Sequence, residues 1–347
     1  MITKQPFICR QINDRCIHPK SESIPMSAQT KIIDCHNHIG AELLFYLHGD
    51  HPYCQDIPAM VENVGSQRIT DWVVFPFVTN VSFEFAGFQD GEVRYNPSGA
   101  VPYVYENERL LREIYDYFPE HADRIMPLLI LDPSRRVAEQ VAALRELRKK
   151  YRFAGFKIQP TIIQSPVRAL LDEGRPFLEL AEEWDCPILI HSSIAEHDIW
   201  SQCSDILDIA EQTPGVRFCL AHSCRYDRPS LDRMASLPNA WFDCSAHIIH
   251  CESVGRGLDN VAVPDRRFKT DYTNPTQVLH DLNVAYPQKL MWGSDSPFYS
   301  WITSQGRLPF SLKSSYQAET DCLFGLDEKA ISEIAGSNTL SFLSYES

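Results

Sequence analysis

The sequence predicts an α/β fold, a (β/α)8 TIM barrel with an N-terminal extension and a long insertion after strand 2. Three observations lead there. Eight short apolar runs of β type recur along the chain, stretches with apolar residues at helical spacing separate several of them, and no Gly-x-Gly-x-x-Gly follows any run. Near-continuous apolar strands belong to a parallel sheet covered by helices, and eight strand–helix units suit a closed barrel better than an open dinucleotide-binding sheet. The 347 residues suffice for one such domain with additions, since barrels often pass ~250 residues as a single domain.

In chain order, residues 1–30 lack periodicity and form the extension, expected to wrap the barrel floor or a neighbouring subunit or to remain mobile. The barrel occupies residues 31–347. Its first two strands are read at Lys31–Cys35 and Trp72–Phe77. The stretch Thr79–His121 is too long for a simple connection, and Val81–Tyr105 within it is rich in aromatic residues, Gly and Pro. Residues 79–121 are therefore expected over the barrel mouth as a lid or specificity insertion. Met126–Leu131 is the third strand, followed by a helix whose apolar stripe is Val137, Val141, Leu144 and Leu147. Ala154–Ile158 is the fourth. A second stripe, Phe177, Leu180, Ala181 and Trp184, begins just after Pro176, as helices often do. Pro187–His191 is the fifth strand, and Ser204 is placed to cap a helix carrying Ile206, Ile209 and Ala210. Arg217–His222, Trp241–Ser245 and Lys289–Ser294 complete the set, with a long connection over Ala246–Gln277.

Composition narrows the function. Lys and Arg total 32 against 46 Asp and Glu, a formal charge of −14 that repels nucleic-acid phosphates and anionic membrane surfaces. The nearest basic cluster, Arg145–Lys150, only continues a helical pattern. No apolar run approaches the ~18 residues of a membrane span, and charges are scattered through Met1–Lys20, so neither a signal peptide nor a membrane helix is expected. The 11 cysteines are odd in number and include no Cys-x-x-Cys, which fits reduced thiols in a cytoplasmic protein.

The chemistry sits at strand ends. In Asp34-Cys35-His36-Asn37-His38, two imidazoles at i and i+2 point to one side of a strand, a geometry suited to a shared metal ion. Strand five ends in His191, strand six in His222 and strand eight runs into Asp295, each a metal ligand or proton-transfer group straight after an apolar run. Active sites of barrels are built at that carboxyl-terminal rim. Arg225 and Tyr226, just after His222, are placed to meet an anionic or planar substrate, and Trp292 flanks Asp295 where it would shape a pocket. His247 and His250 follow strand seven and are read as surface or supporting histidines.

These motifs resemble the amidohydrolase superfamily, in particular the amidohydrolase-2 branch that includes small hydrolases, lactonases and relatives of aminocarboxymuconate-semialdehyde decarboxylase. The resemblance covers about residues 31–347 and rests on Asp34–Gly40, Gly155-Phe156-Lys157-Ile158-Gln159-Pro160, His191, Leu220-Ala221-His222 and Gly293-Ser294-Asp295-Ser296-Pro297. Two departures stand out: Gln159 replaces a usual His, and the closing helix reads Gly336-Ser337-Asn338-Thr339 where members usually have Gly-Asn-Ala.

The resemblance implies a divalent metal, Zn²⁺ first and Mn²⁺, Fe²⁺ or Co²⁺ also fitting, on His36, His38, His191 and Asp295. One ion is expected rather than two; a second would recruit His222 and Lys157, which carries a bridging carbamate in two-metal members. Asp295 and His222 would move protons, and Lys157 would otherwise bind a substrate carboxylate. The implied activity is hydrolysis of an ester, lactone or amide bond in a small molecule by metal-activated water. Non-oxidative decarboxylation or hydration of an aromatic or unsaturated acid on the same metal is the alternative. A homodimer without nucleic-acid or membrane partners is the expected setting.

Overall fold

The computed structural model describes residues 31–344 except 66, 79–82, 90–91, 98–100 and 304–309. The N-terminal extension and parts of the expected lid lie outside the described residues. Eight parallel strands follow one another around the sheet: β1 (Ile33–Ala41), β2 (Asp71–Pro76), β3 (Ile125–Ile130), β4 (Gly155–Ile158), β5 (Ile188–Ile190), β6 (Phe218–Leu220), β7 (Ala240–Asp243) and β8 (Leu290–Met291). A short antiparallel strand, Cys54–Gln55, pairs with the far end of β1. Backbone bonds join the first and last strands: the Cys35 N–H donates to the Trp292 carbonyl at 3.1 Å, and the His38 N–H to the Ser296 carbonyl at 2.7 Å. The predicted barrel is thus observed, with all eight strands close to their expected positions.

Alternation along the strands sorts the apolar side chains into two layers. Ile33, Cys35, Val73, Phe75, Leu128, Leu189, Cys219 and Met291 form an inner cluster that includes Phe342 and Leu343 of the final helix, Asn338–Leu343. Trp72, Val74, Phe156, Ile158, Ile188, Phe218, Phe242 and Trp292 belong to the larger cluster shared with the helices. Among those helices, Val137–Arg148 and Arg175–Glu183 pack the stripes read from the sequence against this cluster, burying Leu144, Leu147, Phe177, Leu180 and Ala181. Ser204 is not a cap: the helix Cys203–Gln212 begins one residue before it, after Gln202, while Ile206, Ile209 and Ala210 are buried as expected.

The insertion after β2 divides in two. Phe83–Gln89 and Glu92–Pro97 pair as an antiparallel ribbon. The later part is a barrel helix, Val104–Arg112, which buries Leu110 and Leu111 and whose Asn107 amide brackets Ile130 of β3 with bonds of 2.9 and 2.8 Å. Residues 104–112 therefore pack on the barrel wall.

β1 runs on past its predicted end at Cys35, and it carries a bulge. Register against β2 slips between Asp34 and Asn37, one extra residue on β1. The slip inverts the alternation, so that Ile33 and Cys35 before it and His36 and His38 after it all reach the barrel interior; both rings lie edge-on to Phe75, at 4.8 and 4.6 Å. Gly293 makes room for this. A Cβ there would fall 2.7 Å from the His36 Cβ and 3.1 Å from the Cys35 Sγ. Gly293→Ala is accordingly expected to destabilise the fold by about 1–3 kcal/mol, the usual range for overpacking, and chemical denaturation would show it; an unchanged midpoint would mean the bulge yields freely.

A second expected result concerns Glu319, fully buried on the helix Tyr316–Phe324, whose carboxylate accepts from the Ile248 N–H at 3.3 Å. Burial pushes this carboxyl well above the usual carboxylate range. A raised native pKa means that its contribution to stability is whole below about pH 4.5 and is lost as pH rises toward the native value. Glu319→Gln should flatten the decline in stability between pH 5 and pH 8, which denaturation at several pH values tests directly. A slope identical to the parent's would rule this out.

Candidate active site

The functional side chains come from the carboxyl ends of six strands. His36 and His38 lie on β1 and Lys157 on β4; His191 follows β5, His222 follows β6, Asp243 ends β7 and Asp295 follows β8. Asp295 is the meeting point: its Oδ1 lies 3.2 Å from His36 Nε2 and 3.1 Å from His38 Nε2, and its Oδ2 3.7 Å from His222 Nδ1. Candidate ligand atoms of His36, His222 and Asp295 all fall within 4.8 Å of one another. Ligands held about 2 Å from one zinc ion occupy a comparable space.

Electrostatics supports this use. Burial foremost, helped by Lys157, holds His36 and His38 below the usual histidine range; burial and then Arg225 do the same for His191 and His222. Neutral imidazoles offer the lone pairs a metal requires. Burial pushes the Asp295 carboxyl up to about 6 and the Lys157 ammonium down to about 8. Lys157 Nζ lies 3.3 Å from His36 Nε2 and over the Phe75 ring at 4.5 Å. The donor set thus fits a divalent cation.

Two predicted residues occupy unexpected places. His191 joins the group through His222, whose Nε2 is 3.0 Å from His191 Nδ1, and its own Nε2 accepts from Arg225 Nη2 at 3.1 Å; it stands outside the compact trio. Arg225 is buried and also donates to His250 Nε2 at 2.5 Å and to the Ser192 carbonyl at 2.8 Å. Tyr226 and Trp292 were expected at the substrate, and the structure corrects both. Each is fully buried in the layer between strands and helices, Tyr226 with its hydroxyl 3.2 Å from His247 Nδ1 and Trp292 one residue out of step with inward-facing Met291. His247 and His250 are buried rather than superficial.

Asp243 was missed. Its Oδ2 lies 2.9 Å from His36 Nδ1, and its Oδ1 accepts from the backbone N–H groups of His222 and Ser245, both at 3.0 Å, and from the Ser245 hydroxyl at 2.5 Å. Burial by itself would raise this carboxyl; the His36 ring, the Ser245 hydroxyl and Lys157 outweigh it and hold it below the usual carboxylate range. A carboxylate on one ring nitrogen fixes the orientation of a histidine whose other nitrogen faces a metal. The signal was present, an acid closing the run Ala240-Trp241-Phe242 at the same rim position that singled out His191. Gln159, where the resemblance has a His, is buried, and its Oε1 has no partner among the described residues.

Comparison with known proteins agrees with the geometry. Among solved structures, the chain is similar to an uncharacterised TIM-barrel protein of Bordetella bronchiseptica, with a TM-score of 0.56 and 11% identity over 91% of this chain and 99% of that one. It is similar to the IDCase of Metarhizium anisopliae, at 0.55 and 13% over 92% and 98%, and to a dihydroorotase of Campylobacter jejuni, at 0.53 and 14% over 91% and 84%. Identities this low speak for a shared fold. No curated protein sequence matches the chain. The sequence profile of the amidohydrolase family, however, matches residues 33–338, spanning every strand end described above. The chain belongs to the amidohydrolase family.

Proposed function

We propose that this protein is a metal-dependent hydrolase that cleaves an ester, lactone or amide bond of a small molecule. The observation that carries the reading is Asp295, a buried carboxyl at about 6, shared between His36 and His38 and facing His222. His36, His38 and Asp295, with His222 or His191, would hold one divalent ion, zinc by the character of its donors and manganese, iron or cobalt within the same set. Such an ion lowers the pKa of a water it binds to about 7 and polarises a carbonyl.

The chain's own groups do the rest. Asp295 takes the proton of the attacking water and passes it toward the leaving group with His222. His222 is kept in place by the Ser245 hydroxyl at 2.9 Å and by Asp243 through its backbone N–H. Asp243 holds the His36 ring so that Nε2 faces Asp295. Lys157 supplies positive charge beside the oxygen on which negative charge develops. No helix among the described residues is long and apolar enough to cross a membrane; a cytoplasmic homodimer is the proposed setting.

A second reading, decarboxylation of an aromatic or unsaturated acid, is favoured by the two buried cations, Lys157 and Arg225, around the same centre. Metal content per chain, measured by elemental mass spectrometry on protein purified without chelator, together with a panel of esters, lactones and amides beside a carbon dioxide release assay, tests both. About one equivalent and turnover of the panel is the expected result. Carbon dioxide release alone would select the second reading, two equivalents would make Lys157 a bridging carbamate, and no metal after reconstitution would remove both readings.

A further inference from the structure

We propose that Arg225, braced by His191 and His250, is the seat of a substrate carboxylate, so that the molecule transformed is an organic acid bound with its carboxylate beside the metal centre. The reaction carried out there rests on the reading above; the subsite rests on the bonds of Arg225 itself.

The guanidinium is an anomaly as a structural group. It is 8% exposed, yet among the described residues it has no carboxylate partner. Its acceptors are the Ser192 carbonyl on Nε, His250 Nε2 on Nη1 and His191 Nε2 on Nη2, and none of them is a carboxylate. An arginine stays protonated in this setting, and a buried charge with no carboxylate in direct contact is costly. Three of its N–H groups are used. A guanidinium has five, so each terminal nitrogen has a further N–H to offer a carboxylate.

The backbone is also bent to hold it there. His222, Ser223, Cys224, Arg225 and Tyr226 all have positive φ, at 65°, 51°, 47°, 56° and 61°. None is glycine, and left-handed backbone costs roughly 1–2 kcal/mol for each such residue. Strain of this kind persists where surrounding structure enforces it, commonly at functional sites. Here the strained turn brings His222 to Asp295 and Arg225 to His191 within four residues. His191 is the only partly buried member of the cluster, so solvent reaches the site beside Arg225. Charge points the same way: Asp243 and Asp295 match Lys157 and Arg225, so a divalent ion leaves a positive surplus that an anionic ligand offsets.

The test uses zinc-loaded full-length protein, benzoate as the probe and benzamide as its uncharged counterpart, with affinity measured by calorimetry and zinc content measured in parallel. Benzoate is expected to bind, benzamide to bind at least about tenfold more weakly, and Arg225→Met to weaken benzoate by about 10- to 100-fold with zinc content unchanged. Should that variant fail to fold, Arg225→Lys keeps the charge but loses the guanidinium fork, and a several-fold weakening is expected. Benzoate affinity equal in parent and folded variant, or equal for benzoate and benzamide, overturns the subsite, as does absence of benzoate binding by the parent. A chain without zinc that still prefers benzoate through Arg225 would sink the metal-dependent reading and leave the subsite standing.

Discussion

Asp295→Asn is expected to lower turnover by at least ~10³-fold, since general acid–base groups contribute ~10²–10⁴ and this one also belongs to the metal set. The same change should not weaken the metal-free fold. Burial raises the Asp295 carboxyl to about 6, so below about pH 4 its contribution to metal-free stability is whole, and that contribution is lost as pH rises through about 6. At pH 8 the ionised group is a burden on the metal-free chain, partly relieved by Lys157 and Arg225. The uncharged amide removes it. The signature is therefore a variant inactive at every pH, yet at pH 8 and after chelation as resistant to denaturant as the parent or more so. Full activity would exclude Asp295 as the base, and a large loss of metal-free stability at pH 8 would show that the carboxylate is a structural ion.

Asp243→Asn carries the second large effect, through His36. The carboxylate accepts from His36 Nδ1 at 2.9 Å, which leaves the Nε2 lone pair directed toward Asp295. An amide that presents its NH₂ to Nδ1 stabilises the other tautomer, with the proton on Nε2 where a metal would bind. Loss of an orienting partner of this kind typically costs 10- to 100-fold in metal affinity or activity, and that range is expected for zinc affinity measured by chelator competition. Rescue of turnover by excess zinc would identify a positioning role. An affinity within twofold of the parent's would mean the ring is held by Phe75 and Lys157 instead.

The barrel was legible because its strands are short apolar runs whose carboxyl ends carry isolated His and Asp residues, and both signals are local. The bulge at Asp34–Asn37 was not, because it answers a tertiary demand, the close approach of His36 to Gly293 across 257 residues of chain. Asp243 obeys the same positional rule as His191, a polar ligand-type group closing an apolar run. Parity would have corrected Trp292: counted from Met291, it must face the helices. Tyr226 and Arg225 lay beyond any such count, since five successive left-handed residues without glycine have no signature in composition. Length and the aromatic, Gly and Pro content of its first part gave the insertion after β2 to a lid, although Val104–Arg112 within it is helix packed on β3.

The join between β1 and β8 gives the site a history as well as a shape. His36 and His38 are made long before Asp295, which follows His38 by 257 residues. A nascent chain thus carries two imidazoles with no carboxylate to complete them, and the binding set comes into being only when the last strand docks on the first. Metal affinity is then a reward for ring closure: any ion captured there stabilises the docked arrangement over the open sheet by mass action. Loss of the ion should show itself first as breathing at that one join, in faster amide exchange at Cys35 and His38, whose N–H groups bridge to Trp292 and Ser296, while the opposite wall of β4 and β5 stays protected.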